Sequence, residues 1–137
     1  MSISITDNTG AILAALNRQM EAGLEAVGQQ AVSHAKSNIT AAGRVDTGAL
    51  RNSITHRVSM GEKAVYIGTN NDYAVYNELG TGIHAEGGRG RQDPWVYQDA
   101  KGNWHRTSGM KPIHFLKNAA TEHSGEYRQI LRQHLEE

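Results

Sequence analysis

The chain contains no cysteine, and this absence excludes several kinds of site at once. Disulfides, thiolate nucleophiles, and zinc or iron-sulfur centres with cysteine ligands all need thiol groups. The chain also lacks an excess of either charge, because 14 lysine and arginine residues balance 14 acidic residues. The sequence therefore gives no reason to expect strong electrostatic attraction to nucleic acid or to an anionic membrane.

Long apolar runs are missing as well. No stretch of the sequence approaches the roughly 20 consecutive apolar residues that span a bilayer. The N-terminus has no basic segment followed by an apolar one, as a secretory signal would have. These features predict a soluble chain that is not exported, and its length of 137 residues predicts a single domain over 1–137.

The longest regular pattern lies near the start of the chain and predicts a helix over residues 9–42. Its apolar residues recur every three or four positions: Leu13, Leu16, Met20, Leu24, Val27, Ala31, Ala35 and Ile39. At about 1.5 Å per residue this helix reaches some 45 Å, which exceeds the width of a compact domain of this size. Two alternatives stay open. A continuous helix needs another chain to cover part of its stripe, whereas a helix interrupted at Gly23 or Gly28 would fold wholly onto its own sheet.

After this helix the period of the pattern changes from helical to alternating. A β-hairpin is predicted over 53–69, with one face formed by Ile54, His56, Val58 and Met60. A short helix is then predicted over 72–80, carrying Tyr73, Tyr76 and Leu79 and ending at Gly80-Thr81-Gly82.

The sequence of the second half predicts a loop, then a second hairpin, then a C-terminal helix. Residues 83–93 are rich in glycine and arginine and predict a mobile basic loop. Residues 94–107 predict an aromatic hairpin, and 112–135 predict a C-terminal helix that begins at Pro112 and kinks at Ser124-Gly125. Together the elements predict an α+β fold, with both long helices packed on a small antiparallel sheet and with a protruding loop and hairpin.

Two short motifs suggest enzyme chemistry, and both have a simpler explanation. Asp46-Thr47-Gly48 is the signature of an aspartic protease loop, which would need a homodimer and a mostly β chain. The alternative is a helix cap at Asp46 or Thr47, with Gly48 easing a tight turn. Gly80-x-Gly82 follows a helical turn rather than a strand, so a nucleotide loop is not expected.

The histidines are candidate metal ligands, and the arginines are candidate contacts to nucleic acid. None of the seven histidines lies in a recognised metal-binding spacing, so no metal and no cofactor are predicted. The Gly87-Gly-Arg-Gly-Arg91 run resembles short segments that touch RNA, which leaves a nucleic-acid-binding regulator as an alternative function. A solvated loop explains this run more simply in a neutral chain.

Four runs in a fixed order resemble a known family. They are Val45-Asp-Thr-Gly-Ala-Leu-Arg-Asn-Ser-Ile54, Tyr66-Ile-Gly68, Tyr73-Ala-Val-Tyr-Asn-Glu-Leu-Gly-Thr-Gly82 and Met110-Lys-Pro-Ile-His-Phe-Leu-Lys-Asn-Ala119. On these runs the chain resembles the Hong-Kong-ninety-seven gene-product-ten-like family of long-tailed bacteriophages and prophages. The resemblance extends from the end of the first helix to the start of the last.

The resemblance implies a structural virion protein rather than an enzyme. Members of the family are small head-tail joining, neck or tail-completion proteins, and no catalytic residue, cofactor or metal is implied. The expected partners are copies of the chain in a ring, together with neighbouring connector and tail-terminator or tail-tube proteins. The ring would surround the DNA channel at the head-tail junction after assembly in the host cytoplasm, where non-specific DNA contact is an option.

The residues most suited to contact a partner lie after the two glycine motifs. Large aromatic side chains on a surface ribbon predict an interface, and arginines beside them can pair with an acidic partner or line the channel. The candidate interface residues are Arg89, Arg91, Trp95, Tyr97, Trp104, His105 and Arg106.

Overall fold

The computed structural model describes residues 3–4, 7–43, 48–72, 74–88, 90–98 and 101–136. Over these residues the fold is α+β, as predicted, and it contains two separate two-stranded antiparallel sheets. The helices are α1 (Thr9–Ala41), α2 (Ala49–Asn52), α3 (Ala74–Leu79), α4 (Phe115–Thr121) and α5 (Ser124–Leu135). The strands are β1 (Thr55–Ser59), β2 (Ala64–Gly68), β3 (Trp95–Gln98) and β4 (Trp104–Thr107). Within the described ranges, none of the helices combines the length and the apolar character that a bilayer crossing requires.

Helix α1 is continuous, so the alternative of a helix broken at its glycines is excluded. Before its first turn, the Asp7 carboxylate accepts a hydrogen bond from the Thr9 amide at 2.9 Å. At the other end, Gly43 adopts the left-handed conformation, with φ of 71°, and its amide donates to the Thr40 carbonyl. This is the position after the helix where glycine is expected.

The glycines inside α1 are points of close contact rather than breaks. A Cβ added to Gly28 would lie 2.5 Å from His56 Cδ2 and 2.9 Å from Val65 Cγ2, which are side chains of the first hairpin. A Cβ on Gly23 would lie 3.1 Å from Leu131 Cδ2 on α5. Glycine lowers helix propensity, and here it allows the hairpin and α5 to approach the helix backbone.

The first hairpin lies with one face on α1. Strands β1 and β2 pair in a register that sets His56 opposite Ile67 and Val58 opposite Val65. These residues are all half-buried, and His56 Nε2 lies 2.5 Å from the carboxylate of Glu25 on α1. The alternation that predicted this inner face from Ile54 to Met60 therefore agrees with the observed burial.

The core lies around the C-terminal half of α1. Its buried residues are Ala35, Ile39, Ile54, Phe115 and Ala119. They come from α1, from the residue before β1 and from α4, so the core joins the beginning and the end of the chain. The Asn38 side-chain amide adds a hydrogen bond to the Phe115 carbonyl at 3.2 Å.

The predicted C-terminal helix is two helices, and it does not begin at Pro112. His114 adopts φ of 49° and ψ of 46°, a left-handed conformation that stops a helix from starting earlier than Phe115. The break lies at His123, with φ of −121° and ψ of 27°, and not at Ser124-Gly125. The Tyr127 hydroxyl bridges this break by donating to the Ala119 carbonyl. After the break α5 runs antiparallel to α1, with Glu126 beside His34 and Leu131 beside Gly23.

Helix α2 begins after Gly48, which is left-handed with φ of 77°. The predicted capping residues Asp46 and Thr47 lie outside the described residues. Leu50 packs against the core. The fold is dominated by helices, so it does not match the mostly β chain that an aspartic protease built on Asp46 would require.

Candidate functional site

The first candidate surface is the uncovered start of α1. Ile12, Leu13 and Leu16 are 57%, 55% and 44% exposed. The elements that pack on α1 approach it from Asn17 onward, where Lys63 Nζ donates to the Asn17 side chain at 3.3 Å. We call Ile12, Leu13 and Leu16 the apolar stripe. It continues the periodic pattern of the buried half of the helix, but its side chains are exposed.

The second candidate surface is the second hairpin, formed by β3 and β4. Its side chains are largely exposed, including Trp104 at 70% and Val96 at 62%. The turn is closed by the Gln98 side-chain amide, which donates to the Gly102 carbonyl at 2.9 Å. Residues this apolar on a thin ribbon are typical of a surface that a partner covers.

The register divides the predicted interface residues between two faces of this hairpin. Tyr97 pairs with His105, and their rings stack with centroids 5.2 Å apart. Trp95 lies on the same face as Tyr97, and the Arg91 guanidinium lies 5.5 Å from the centre of its ring. Directly paired residues share a face, so Arg106 and Trp104 lie on the opposite face. One flat partner cannot cover both tryptophans, and Arg89 lies outside the described residues.

Gly80 and Gly82 form a tight backbone crossing at the base of this hairpin. The Thr81 amide donates to the Met110 carbonyl at 2.8 Å, and the Ile83 amide donates to the Ser108 carbonyl at 3.0 Å. A Cβ on Gly82 would lie only 1.9 Å from the Ser108 carbonyl oxygen. The Gly-x-Gly motif therefore serves close packing of two chain segments, and the predicted loop beyond it begins with short 3-10 turns at Gly82–His84 and Glu86–Gly88.

The residues of α3 that sequence reasoning missed are Asn77 and Glu78. The Glu78 carboxylate accepts hydrogen bonds from the Leu116 amide at 2.8 Å and the Lys117 amide at 2.9 Å, at the start of α4. The Asn77 carbonyl accepts from the Ile113 amide at 2.9 Å. A carboxylate at this position satisfies amides that have no partner inside the helix.

The large apolar side chains of this short helix face solvent. Tyr76 and Leu79 are exposed, whereas Asn77 is buried. Tyr73 lies outside the described residues. The helix is held by polar contacts to the start of α4 and by Ala74, which packs against the core.

The first part of the chain matches a known protein family. Residues 4–80 match the family model described as "Bacteriophage HK97-gp10, putative tail-component". A search of curated proteins and a search of solved structures found no match. The matched stretch covers more than half of the chain and spans α1, the first hairpin and α3. The chain therefore belongs to the HK97-gp10-like bacteriophage tail-component family.

Proposed function

We propose that this chain is a structural virion protein that acts in head-tail joining or tail completion by assembling into a ring around the DNA channel. Membership of a phage tail-component family supports a role in the virion. The observation that carries the proposal is the exposed apolar stripe on α1. Burying a side chain such as leucine is worth roughly 1.5–3 kcal/mol, so leaving three such side chains in water is unfavourable unless a second chain covers them.

The two candidate surfaces lie near opposite ends of α1, so they can contact different molecules. In a head-to-tail ring each copy contacts the next through the same pair of surfaces until the rotation closes, and the apolar stripe is one surface of that pair. The apolar stripe lies at the N-terminal end of α1. The second hairpin is attached near the other end, because its base bonds to Thr81 and the segment after it reaches Asn38 through Phe115. At about 1.5 Å per residue, these two ends lie some 40 Å apart along the helix.

In this proposal the apolar stripe packs against a neighbouring copy in the same ring. The second hairpin contacts the next ring of the neck or tail, where connector and tail-terminator or tail-tube proteins lie. Its two faces give it two sets of contacts, with Trp95, Tyr97 and Arg91 on one face and Trp104 and Arg106 on the other. The arginines then pair with acidic groups of the partner or with DNA phosphates in the channel.

The apolar stripe is tested by placing charges on it. Leu13→Glu with Leu16→Glu should leave a folded subunit that no longer associates, because both residues are exposed in the single chain. Loss of two buried leucines removes roughly 3 kcal/mol or more from each contact, which is about a 100-fold weaker association. Ala11→Glu with Ala14→Glu adds the same charges to the opposite, exposed side of the helix and should assemble normally.

The measurement combines native mass spectrometry at high protein concentration with complementation of a phage or prophage that lacks the gene. The stripe variant should give few infectious particles and no rings, while the Ala11 and Ala14 control should give both. Normal particle yields from the stripe variant would refute the role of this surface in assembly.

The hairpin is tested by deleting residues 87–91 and replacing Trp95 and Trp104 with alanine. This variant should form the ring contact but fail to complete virions, because the two surfaces have separate roles. Infectious particles from the hairpin variant would contradict its proposed role.

The DNA contact in the channel is tested by a gel shift with the wild-type chain. DNA binding should be detected at low salt and should weaken steeply as salt is added.

A further inference from the structure

Two histidines and a glutamate meet where α5 leaves its break and returns along α1. His34 lies on α1, His123 lies in the break before α5, and Glu126 lies in the first turn of α5. One potential metal-ligating atom from each of the three lies within 4.8 Å of the other two. His34 lies 89 positions before His123 and 92 before Glu126, so the sequence alone could not bring His34 to the other two.

The separations of the donor atoms are those of a metal site before the ligands close on an ion. His34 Nε2 lies 2.9 Å from the Glu126 carboxylate oxygen, and His123 Nδ1 lies 3.8 Å from the same oxygen. In a tetrahedral site with bonds of about 2.0–2.1 Å, neighbouring ligand atoms lie about 3.3 Å apart. These two distances lie on either side of this value.

One movement can be specified. The rings of His34 and His123 are stacked with their centroids 3.5 Å apart and their planes 6° from parallel. A metal binds in the plane of each imidazole, so one ring must turn before both nitrogens reach the same ion. His123 has 31% of its side chain exposed and lies in the non-helical break, so we assign the turn to this ring rather than to His34 on α1.

The surroundings support a defined site rather than a loose surface group. Tyr127 is the main neighbour, because the Gln30 amide nitrogen, 3.4 Å from His34 Nε2, faces the ligand atom itself and must move aside for an ion. Tyr127 borders both histidines, with ring centroids 6.2 Å from His34 and 6.3 Å from His123, and its hydroxyl is held by the Ala119 carbonyl.

We propose that His34, His123 and Glu126 bind one divalent transition-metal ion, of the class of Zn²⁺, Ni²⁺ or Co²⁺. Imidazole nitrogen with one carboxylate is a donor set that these ions favour over Mg²⁺ or Ca²⁺, which prefer oxygen ligands. Three protein ligands leave a fourth position open to water. The metal joins α5 to α1 at the break between α4 and α5, and it therefore fixes the C-terminal helix. This inference does not depend on ring assembly.

The experiment uses the full chain without an affinity tag, treated with EDTA and dialysed. Zn²⁺ is titrated by calorimetry, and Co²⁺ binding is followed by its visible absorption spectrum. We expect one saturable ion per chain, a rise in the thermal midpoint when Zn²⁺ is added, and a Co²⁺ spectrum of a low-coordinate nitrogen and oxygen site.

His123→Ala should weaken binding by more than the 10- to 100-fold that is typical for loss of an outer partner of a ligand. Glu126→Gln should do the same while retaining a side chain that can hydrogen-bond His34. His105→Ala removes a histidine from the second hairpin and should bind as the wild type does. Circular dichroism without metal checks that each variant is folded.

Two results would overturn the proposal. One is the absence of saturable Zn²⁺ and Co²⁺ binding by the folded wild-type chain. The other is unchanged affinity in the double variant His34→Ala with His123→Ala, which would place the ion elsewhere. His123→Ala serves as the main variant because this residue lies outside the helices, so the substitution changes no residue within a helix.

Discussion

The two halves of α1 share one periodic pattern but have opposite surroundings. In the C-terminal half the stripe is covered, and Ala35 and Ile39 are fully buried. In the N-terminal half the same spacing continues through Leu13 and Leu16, and both side chains are exposed to solvent. A helical stripe therefore predicts that something covers the helix, but it does not say whether the cover belongs to the same chain.

The size of the residues distinguishes the two halves. The covered part, from Gly23 onward, contains Gly23 and Gly28, and these glycines let α5 and the first hairpin approach closely. The exposed start of the helix presents the large side chains of Ile12, Leu13 and Leu16. Small residues mark contacts inside the chain, where two backbones come close together. Large exposed residues mark a surface suited to side-chain contacts with a separate molecule.

The largest expected difference between the halves comes from one substitution made in each. Ile39→Ala removes a fully buried side chain from the core and should lower the free energy of unfolding by about 2–5 kcal/mol. Ile12→Ala removes the same atoms from the apolar stripe, where the side chain is 57% exposed. This substitution should change the free energy of unfolding by less than about 0.5 kcal/mol. Urea unfolding followed by circular dichroism measures both. Equal losses would mean that the stripe is covered within the single chain.

A smaller difference, with opposite signs, is expected from adding a methyl group to a glycine. Gly28→Ala places a Cβ 2.5 Å from the His56 ring, so the hairpin must shift, and we expect a loss of about 1–3 kcal/mol. Gly10→Ala meets no atom within 4 Å and improves helix propensity, so it should add up to about 1 kcal/mol. Thermal unfolding of the two variants shows directly whether each substitution raises or lowers the stability. A stabilising Gly28→Ala would show that the hairpin does not lie tightly on α1.

The sequence predicted those elements that depend only on residues close to one another along the chain. The period of α1, the inner face of the first hairpin and the left-handed Gly43 follow from spacing and residue type. The start of α4 did not follow, because it depends on the left-handed His114 and on the Glu78 carboxylate, which arrives from another helix. A proline before an apolar run was not enough to locate that start.

The candidate site was predictable in composition but not in arrangement. Alternation along β3 predicts that Trp95 and Tyr97 share a face. The face of Trp104 depends on the register across the turn, which the sequence does not set. The cluster of His34, His123 and Glu126 depends on the antiparallel packing of α5 on α1. A His-x-x-Glu spacing at 123–126 was its only local signal.

The smallest expected effect concerns the first turn of α1. The Thr9 hydroxyl and then the Thr9 amide donate to the Asp7 carboxylate and lower its pKa. A lowered pKa in the folded chain means that this contribution is present above the ordinary value of about 3.9 and is lost as the pH falls through the folded value. The first turn of the wild-type chain should therefore fray in acid, with the Thr9 amide resonance titrating below the ordinary value.

Asp7→Asn retains an oxygen that can accept the bond but does not titrate, so its first turn should resist acid; Asp7→Ala should fray at every pH. Because residues 7–14 are exposed, neither substitution should move the urea midpoint of the whole chain at neutral pH. Amide hydrogen exchange at residues 10–13 measures the fraying separately from global unfolding. A fall in global stability in Asp7→Ala would show that the first turn is coupled to the core. The N-terminal half of α1 would then be part of the folded body rather than a surface held ready for a second chain.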